Sequence, residues 1–331
     1  MNKQSQLKRK HHHVWAYYLK HWSVDGKNVY YTTKKGNIAY DSVYGLAAER
    51  DFYKINFLDD EDIVFIRRFS SASPEELREI HDSYLKDFYN ASRAYKLSQK
   101  VTPPEIVRQK LIEFQHNALE NLHGAHESES VEILKRMNQG DFSVFDSSEN
   151  RVKFTQFFAM QMTRTKSFKD KAFGFAVDEE TFKSYPNPPY SFEKYQHLMN
   201  KNWWFLSYMF GMNIGANLTA TRHQDKHVLL ENNTSEPFIT SDNPIINVHE
   251  SIKSSHGRTP PEFMDAFYPI SPRYAYMVNN SNQYPPGKVS ITHEQAISLN
   301  TQMAFRANEH IFAQTDSQIK EIKQLVKRAR K

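Results

Sequence analysis

Ten residues in the last third of the chain read Pro237-Phe238-Ile239-Thr240-Ser241-Asp242-Asn243-Pro244-Ile245-Ile246. Two apolar pairs flank a polar tetrad, and proline closes the tetrad. Phe and Ile suit a half-buried pleated surface, so each apolar pair predicts a buried strand end. Ser, Asp and Asn side chains bind nearby backbone groups, so the tetrad predicts a turn between the strands. Asp242 is therefore either an Asx-turn residue or a carboxylate held at a strand end for chemistry.

The chain on both sides of this stretch has the pattern of an α+β protein. Asn28 to Tyr40 predicts a β-hairpin, and short apolar runs after residue 213 predict further strands. Between them helical periodicity dominates, with an apolar helix over Arg151 to Thr165. We therefore expect a mainly helical middle, with short strands from the N-terminal hairpin and the last third packed as a small sheet.

The domain organisation follows from the length and from the charged ends. A chain of 331 residues accommodates one large domain or two smaller ones. We predict a basic tail over residues 1–10, a single large α+β domain over residues 11–314 and a basic C-terminal helix over residues 315–331. The proline-rich segment at residues 185–190 is the candidate internal boundary.

The composition excludes several classes of protein. Hydrophobic residues make up 39% of the chain, which is enough for a packed core. The chain has no cysteine, which excludes disulfide scaffolds, zinc ribbons and thiol nucleophiles and favours a reducing cytoplasm. No apolar run reaches the length of a membrane span, so we expect no membrane partner. The motifs of P-loop NTPases, dinucleotide-binding folds, α/β-hydrolases and zincins are absent from the sequence.

The net charge of +5 is concentrated at the two ends of the chain. Residues 1–10 carry four cations and no acidic residue, and residues 318–331 carry six cations against Glu321. The body between them therefore has a net negative charge. Basic tails are either solvated chain ends or arms that contact phosphates. On the second interpretation, nucleic acid is the predicted partner, bound through the basic tails.

Three elements carry candidate site residues before residue 170. His12 and its neighbours could supply a ligand or a general base, because histidine titrates near neutral pH. Their alternative role is that of surface histidines capping a helix start. Glu49-Arg50, beside Phe52-Tyr53, could orient a substrate anion through the guanidinium, or could be an ion pair that anchors a loop. Arg164, at the end of the apolar helix, allows both a functional and a structural interpretation.

One spacing in the middle of the chain resembles a metal site. His116, Glu120, His123 and Glu127 recur at helical intervals and would project from one face of a helix. Imidazole and carboxylate groups on one face could hold a divalent ion. Apolar residues form the opposite face, so a solvated polar face is the preferred interpretation. Gly124 predicts an interruption, with a second helix from Glu127 onward.

In their order along the chain, these elements resemble domain-of-unknown-function family 4238, a group found mainly in prokaryotes. Phe238 to Pro244 is similar to the most distinctive motif of the family, and His12 to Leu19 is similar to its N-terminal signature. Glu49 to Tyr53 resembles its Glu-Arg-x-Phe-Tyr element. Gln161 to Thr165 resembles its arginine-bearing helix end, with Lys166 where proline is common. The resemblance covers nearly the whole chain and implies no established activity.

Our first hypothesis is a metal-dependent phosphodiester hydrolase of the nuclease type. Its metal would be Mg²⁺ or Mn²⁺. A role in phage defence or toxicity is compatible with such a family. The alternative is a non-enzymatic binding or sensing protein in which the polar motif is structural. The catalytic candidates are His12, Glu49, Asp242 and Asn243, the substrate-binding candidates are Arg50, Tyr53, Arg164 and Ser241, and the metal-ligand candidates are Asp242, Glu127 and His12.

Overall fold

The computed structural model describes residues 7–176, 179–184, 189–221, 226–250, 263–281 and 283–329. Helices occupy the middle of the chain and strands come mainly from its two ends, which confirms the α+β class. In the described ranges, no helix combines the length and apolar character needed to cross a bilayer. Residues 185–188 of the candidate domain boundary lie outside these ranges, so the domain division stays a prediction. Lys253 to Glu262, where Ser, Gly and two prolines predict a loop, also lie outside them.

The helices and strands follow local sequence signals. A capping box between Asp59 and Asp62 starts the second helix, and a similar box between Thr292 and Gln295 starts the ninth. The helices are α1 (Ala16–Leu19), α2 (Asp60–Ser70), α3 (Glu75–Ser98), α4 (Glu105–Asn138), α5 (Ser148–Thr163), α6 (Lys166–Ala176), α7 (Glu179–Ser184), α8 (Phe192–Ala220), α9 (His293–Phe305) and α10 (Asp316–Ala329). The strands are β1 (Lys10–His12), β2 (Asn28–Thr32), β3 (Ile38–Ser42), β4 (Ala48–Arg50), β5 (Lys226–Glu231), β6 (Thr240–Ser241), β7 (Ile246–Asn247), β8 (Asp265–Pro269), β9 (Tyr274–Asn279), β10 (Gly287–Ser290) and β11 (Ile311–Ala313).

In the described part of the chain the strands form three sheets. The predicted hairpin is confirmed: β2 and β3 are antiparallel, with Tyr30 opposite Tyr40. Strands β11 and β6 extend this hairpin in the order β3-β2-β11-β6, so the N-terminal hairpin and the last third share a sheet. A second sheet has the order β10-β5-β9-β8-β7, in which only the β10–β5 pair is parallel. The short strands β1 and β4 pair separately.

The stretch from Phe238 to Ile246 connects the two larger sheets. Its Thr240–Ser241 segment is β6 of the first sheet, whereas Ile246–Asn247 is β7 of the second. The predicted strand end at Phe238-Ile239 is wrong, because those residues precede β6, although both are fully buried. The strand partner of β6 is β11, far along the chain. Local propensity cannot report such a distant partner.

Two helix predictions change in the structure, and one is confirmed. Helix α5 is the predicted buried helix, with Phe154, Phe157 and Phe158 in the core. The helical pattern from Ser191 predicts an end at Met212, whereas helix α8 continues to Ala220. Helix α4 runs without a break through Gly124, so the predicted interruption there is wrong. Packing along both halves of a 34-residue helix outweighs a glycine penalty of about 1 kcal/mol.

The N-terminal segment is bound directly to the connection between the sheets. Tyr18 Oη donates to the Pro269 carbonyl oxygen at 2.7 Å and lies 2.6 Å from Thr240 Oγ1. Trp22 Nε1 donates to the Phe238 carbonyl oxygen at 2.7 Å. Both rings are completely buried. These bonds hold the start of the chain against its last third.

Candidate functional site

The Ser-Asp-Asn segment of the opening stretch binds backbone groups of the chain that leads into β11. Both carboxylate oxygens of Asp242 accept backbone N–H groups, from Asn308 at 2.9 Å, Glu309 at 2.7 Å and His310 at 3.2 Å. Asn243 Nδ2 donates to the Arg306 carbonyl oxygen at 3.0 Å. These contacts give Asp242 and Asn243 a positioning role: they fix the segment that carries Glu309 and His310.

Ser241 and Asp242 are themselves sealed inside the protein. The Ser241 hydroxyl donates to the Asn243 carbonyl oxygen at 3.0 Å, within the turn. Asp242 is only 2% exposed. Burial raises the pKa of Asp242, although the three backbone N–H groups and His310 oppose that rise. The predicted roles of Ser241 in binding and of Asp242 and Asn243 in catalysis stay predictions, since the geometry shows only their contacts with the protein.

The positioned segment lines a polar cleft of about 810 Å³. The cleft lies between the β2–β3 hairpin, β4 and the start of α6. Most of its walls come from elements that are distant in the sequence, so only the folded chain assembles it. The titratable side chains that line it are His13, Tyr31, Lys34, Lys35, Glu49, Lys166, Glu309 and His310.

Lys166 is the central cation of this cleft. Its Nζ lies 2.7 Å from Glu49 Oε2 and 3.9 Å from Glu309 Oε2. Lys34 Nζ pairs with the other oxygen of Glu309 at 2.9 Å. Burial alone would lower the pKa of Lys166, but Glu49, Glu309 and Asp242 together raise it, so Lys166 remains an ammonium. The predicted catalytic residue Glu49 therefore does lie in the cleft, bound to a cation.

Two imidazoles stand beside this ammonium. Burial, with the positive charges of Lys166 and Arg164, lowers the pKa of His13 to about 3. Its ring is therefore neutral at physiological pH, and its buried Nδ1 has no hydrogen-bond partner among the described residues. His310 lies 2.6 Å from the Thr32 carbonyl oxygen through Nδ1, which assigns the proton to that nitrogen. Its Nε2 faces Glu309 Oε2 at 3.7 Å.

The backbone next to the cleft is strained at two positions. Ala47 and Asp51 adopt φ values of 46° and 60°, in the left-handed region that residues other than glycine rarely occupy. They flank β4, which carries Glu49. The Ala47 carbonyl oxygen accepts the N–H of His13 at 2.9 Å, so the unusual conformation also orients His13. Such strain is concentrated at functional sites in proteins.

Behind the cleft, Arg164 lies in a buried polar cluster. Its Nη1 pairs with Glu127 Oε1 at 2.7 Å, and its Nη2 donates to Gln161. Tyr53, another predicted site residue, is 2% exposed and donates its hydroxyl to the His12 carbonyl oxygen at 3.1 Å. Burial raises the pKa of Glu120 to about 7 despite the nearby charge of Arg164. A buried carboxyl group with this pKa can be protonated or ionised near neutrality.

The polar stripe on α4 is part of this interior, so its interpretation as a solvated face is wrong. His116 and His123 are 5% and 3% exposed, and burial raises the pKa of both Glu120 and Glu127. The N-terminal segment covers this face of the helix: Lys8 bonds through its backbone N–H to Asn117 Oδ1 at 2.8 Å. The periodicity correctly placed the four side chains on one face, but it could not show that another segment covers that face.

The remaining predicted residues lie around these two clusters. His12 is half-buried and donates through Nε2 to the Tyr44 carbonyl oxygen at 3.3 Å. It belongs to β1, and its neighbours in the triplet are buried, so the alternative of surface helix-capping histidines is wrong. The side chain of Arg50 is 74% exposed and is not among the residues that line the cleft.

The proposed metal ligands do not form a common ligand set. Asp242 binds backbone N–H groups, Glu127 binds Arg164, and His12 binds Tyr44. Within the described ranges, no group of three or more His, Asp or Glu side chains is arranged to hold a metal ion. Because each of these three side chains already binds another group, Asp242, Glu127 and His12 do not form the metal site predicted from the sequence. Dependence on Mg²⁺ or Mn²⁺ stays a prediction.

Sequence reasoning missed Lys166, Glu309 and His310 as site residues, and within the histidine triplet it selected His12 and not His13. His13 lies next to the chosen His12, and neighbouring residues on a strand point to opposite sides, so the triplet alone could not distinguish them. Lys166 had one local signal, since it replaces a common proline at the predicted helix end. Glu309 and His310 had none, because their role depends on a backbone segment that distant Asp242 positions.

Comparison with known proteins gives a family and no activity. Residues 10–317 match a family model described as "Protein of unknown function (DUF4238)". Searches of curated proteins and of solved structures each found no match. The family match covers nearly all of the chain, including the histidine triplet, the cleft and the Thr-Ser-Asp-Asn-Pro stretch. The chain therefore belongs to the DUF4238 family, as its motifs indicate.

Proposed function

We propose that this protein is a phosphodiester hydrolase of the nuclease type, and that the scissile phosphate binds in the polar cleft. The observation that carries the proposal is the set of side chains in one open cleft: the Lys166 ammonium with the imidazoles of His13 and His310. Phosphodiester cleavage needs a cation for the developing negative charge and groups that transfer protons.

The charges of the cleft suit a phosphate. Three lysines, Lys34, Lys35 and Lys166, line it against the two carboxylates of Glu49 and Glu309. Lys35 has no ion-pair partner among the described residues. Lys166 is bound to carboxylate oxygens, and phosphate oxygens can replace one of them at similar geometry. A bound phosphate would also stabilise the imidazolium form of His13 and so raise its pKa.

The proposed step is a hydrolysis with balanced proton transfers. The oxygen of a water molecule forms a bond to phosphorus, and the proton of that water passes to the neutral ring of His13. The bond from phosphorus to the leaving ester oxygen breaks, and that oxygen takes a proton from Nε2 of His310, which enters the step with both ring nitrogens protonated. Lys166 binds a non-bridging oxygen as negative charge develops on it. Glu309 Oε2 lies 3.7 Å from His310 Nε2, the nitrogen that gives up this proton.

The test is an assay of the purified chain on single- and double-stranded DNA and RNA, with Mg²⁺, with Mn²⁺ and with a chelator. Lys166→Met and His13→Gln should each lower the cleavage rate by about 10²-fold or more. Lys153→Met is the matched control, because Lys153 lies on α5 and pairs with Glu149 at the surface. The control should keep its rate, and all variants should melt within a few degrees of the parent. Absence of cleavage under every condition would overturn the proposal.

A second candidate function is non-enzymatic binding or sensing. The observation that favours it is the engagement of Ser241, Asp242 and Asn243 by backbone groups, which is the pattern of a structural motif. On this alternative, the cleft binds phosphate-containing molecules and releases them unchanged. Titration calorimetry that detects binding lost in Lys166→Met, without any product in the cleavage assay, would support it. The role in phage defence or toxicity stays a prediction on either candidate.

A further inference from the structure

The C-terminal helix α10 is docked on the domain by its apolar side. Ile319 and Ile322 are completely buried, at 0% and 1% exposed. Leu325 and Val326 are partly buried and pack on the same core cluster. This helix is therefore a fixed part of the molecular surface, and its apolar face is already covered by the protein.

The outer side of α10 is a row of cations. Lys320, Lys323, Lys327 and Arg328 are exposed and follow one another at helical spacing. At 1.5 Å per residue, the row extends for about 12 Å. Only Lys320 has an ion-pair partner, Asp316 at 2.7 Å, among the described residues. The row thus leaves most of its positive charge available to an anionic partner.

This row lies beside the turn that borders the cleft. Lys323 Nζ donates to the Gly36 carbonyl oxygen at 2.5 Å, which places the row against the β2–β3 turn. The same turn carries Lys34 and Lys35, which line the cleft that contains Lys166. We call the exposed row and these three lysines together the basic track. An aromatic side chain, Tyr31, lies at its cleft end.

We infer that the substrate is a single-stranded polynucleotide whose backbone lies along the basic track, with one phosphate in the cleft. This inference rests on the proposed function. A continuous series of cations beside an aromatic ring is the arrangement that binds single strands, by phosphate contacts and base stacking. A mononucleotide would contact only the cleft and would not need the row. Insertion of α10 into a membrane surface would require its apolar face, which is buried.

The experiment measures binding separately from cleavage. Fluorescence anisotropy of a labelled 20-nucleotide single strand is recorded over a series of salt concentrations, in chelator. In the triple variant Lys320→Gln, Lys323→Gln, Lys327→Gln, the slope of log K against log salt should become shallower by about 2, since each phosphate contact to a single strand contributes about 0.7. The control triple variant changes Lys86 and Lys96, exposed on α3, and Lys100, exposed just after it, to Gln and should keep the parental slope.

The outcomes separate this inference from the proposed function. Binding that depends on the basic track, without cleavage of any nucleic acid, supports the track and overturns the hydrolase. Cleavage with the same salt slope in the parent and the track variant overturns the track and leaves the hydrolase. Equal loss of binding in both triple variants, or tighter binding of a duplex than of the single strand, also overturns the inference. Track-dependent binding to phosphatidylserine vesicles without oligonucleotide binding would do so as well.

Discussion

At the scale of single residues, the Asp242 carboxylate positions residues that line the cleft, although Asp242 itself does not line it. Its oxygens hold the backbone of Asn308 to His310, and that segment brings Glu309 and His310 to the cleft. Hydrogen bonds to a charged acceptor are each worth about 1.5–3 kcal/mol, and a buried N–H left without a partner costs a further penalty. The carboxylate therefore supports the fold and the cleft together.

Replacing Asp242 should lower the stability of the protein and also disturb the geometry of the cleft. Asp242→Ala should reduce the free energy of unfolding by about 3 kcal/mol, because three partly buried N–H groups lose their acceptor. Asp242→Asn keeps one acceptor oxygen and should lose less. Urea denaturation measures both changes, and Asp146→Ala, at an exposed aspartate, should stay within about 0.5 kcal/mol of the parent. An Asp242→Ala protein with parental stability and no activity would instead show that the carboxylate takes part in the reaction.

Glu120 predicts a pH dependence of stability with a defined sign. Its pKa is about 7 in the folded chain against an ordinary value of 4.5, so the folded state binds more protons between these values. The contribution of Glu120 to the free energy of unfolding should therefore be largest below pH 4.5 and should fall as the pH rises towards 7. At 1.36 kcal/mol per pH unit, the loss is about 3 kcal/mol.

The measurement compares the parent with Glu120→Gln by chemical denaturation from pH 4.5 to pH 8. Glutamine has the same shape and does not titrate, so the difference between the two proteins isolates Glu120. The free energy of unfolding of the parent, relative to that of Glu120→Gln, should decrease by about 3 kcal/mol from pH 4.5 to pH 8. A constant difference, or one that grows in favour of the parent, would show that Arg164 and not burial controls the carboxyl group.

At the scale of elements, two glycines with opposite surroundings test how the helices pack. A Cβ at Gly124, in the middle of α4, would meet nothing within 4 Å. A Cβ at Gly215, on α8, would lie 3.2 Å from the Cα of Gln156 on α5, where the backbone cannot easily move. Gly215 thus allows the close contact between α5 and α8, whereas Gly124 on α4 has no packing role.

The two alanine substitutions should change stability in opposite directions. Gly124→Ala should raise the free energy of unfolding by about 1 kcal/mol, because alanine favours the helix. Gly215→Ala should lower it by about 1–3 kcal/mol, because the added methyl group separates α5 from α8. Thermal and urea unfolding followed by circular dichroism provide the measurement. A stabilised Gly215→Ala protein would mean that the two helices are further apart than described.

At the scale of the whole molecule, the N-terminal segment joins parts of the chain that are distant in sequence. Tyr18 bonds to Pro269 and Thr240 and stacks on Tyr268 at 5.1 Å between ring centroids. Trp22 bonds to Phe238. The first helix therefore cannot separate from the last third without breaking buried hydrogen bonds.

This connection predicts that Tyr18→Phe destabilises the whole unit rather than one end of it. The loss of the hydroxyl leaves the Pro269 carbonyl and the Thr240 hydroxyl without this partner and should cost about 1–3 kcal/mol. Far-ultraviolet circular dichroism and tryptophan fluorescence should report the same shift of the urea midpoint. If the fluorescence transition moved and the helical signal did not, the predicted single domain over residues 11–314 would be divided.

The sequence by itself determined the features that depend on neighbouring residues. Hydrophobic periodicity predicted the buried helix α5, alternation and turn chemistry predicted the β2–β3 hairpin, and the spaced cations predicted the basic C-terminal helix. The motifs also identified the family, and Glu49, a candidate chosen from the sequence, lines the cleft. These signals are local because helix and strand periods repeat within a few residues.

Only the tertiary structure decided which of these elements meet. It paired β6 with β11, so the Thr-Ser-Asp-Asn-Pro stretch connects two sheets and positions Glu309 and His310. It also covered the polar face of α4 with the N-terminal segment, which buried Glu120 and His123. Burial and long-range contacts set the pKa values and the cleft, and neither is encoded in a local period. For that reason the sequence could nominate Asp242, while the folded chain was needed to show what its carboxylate holds.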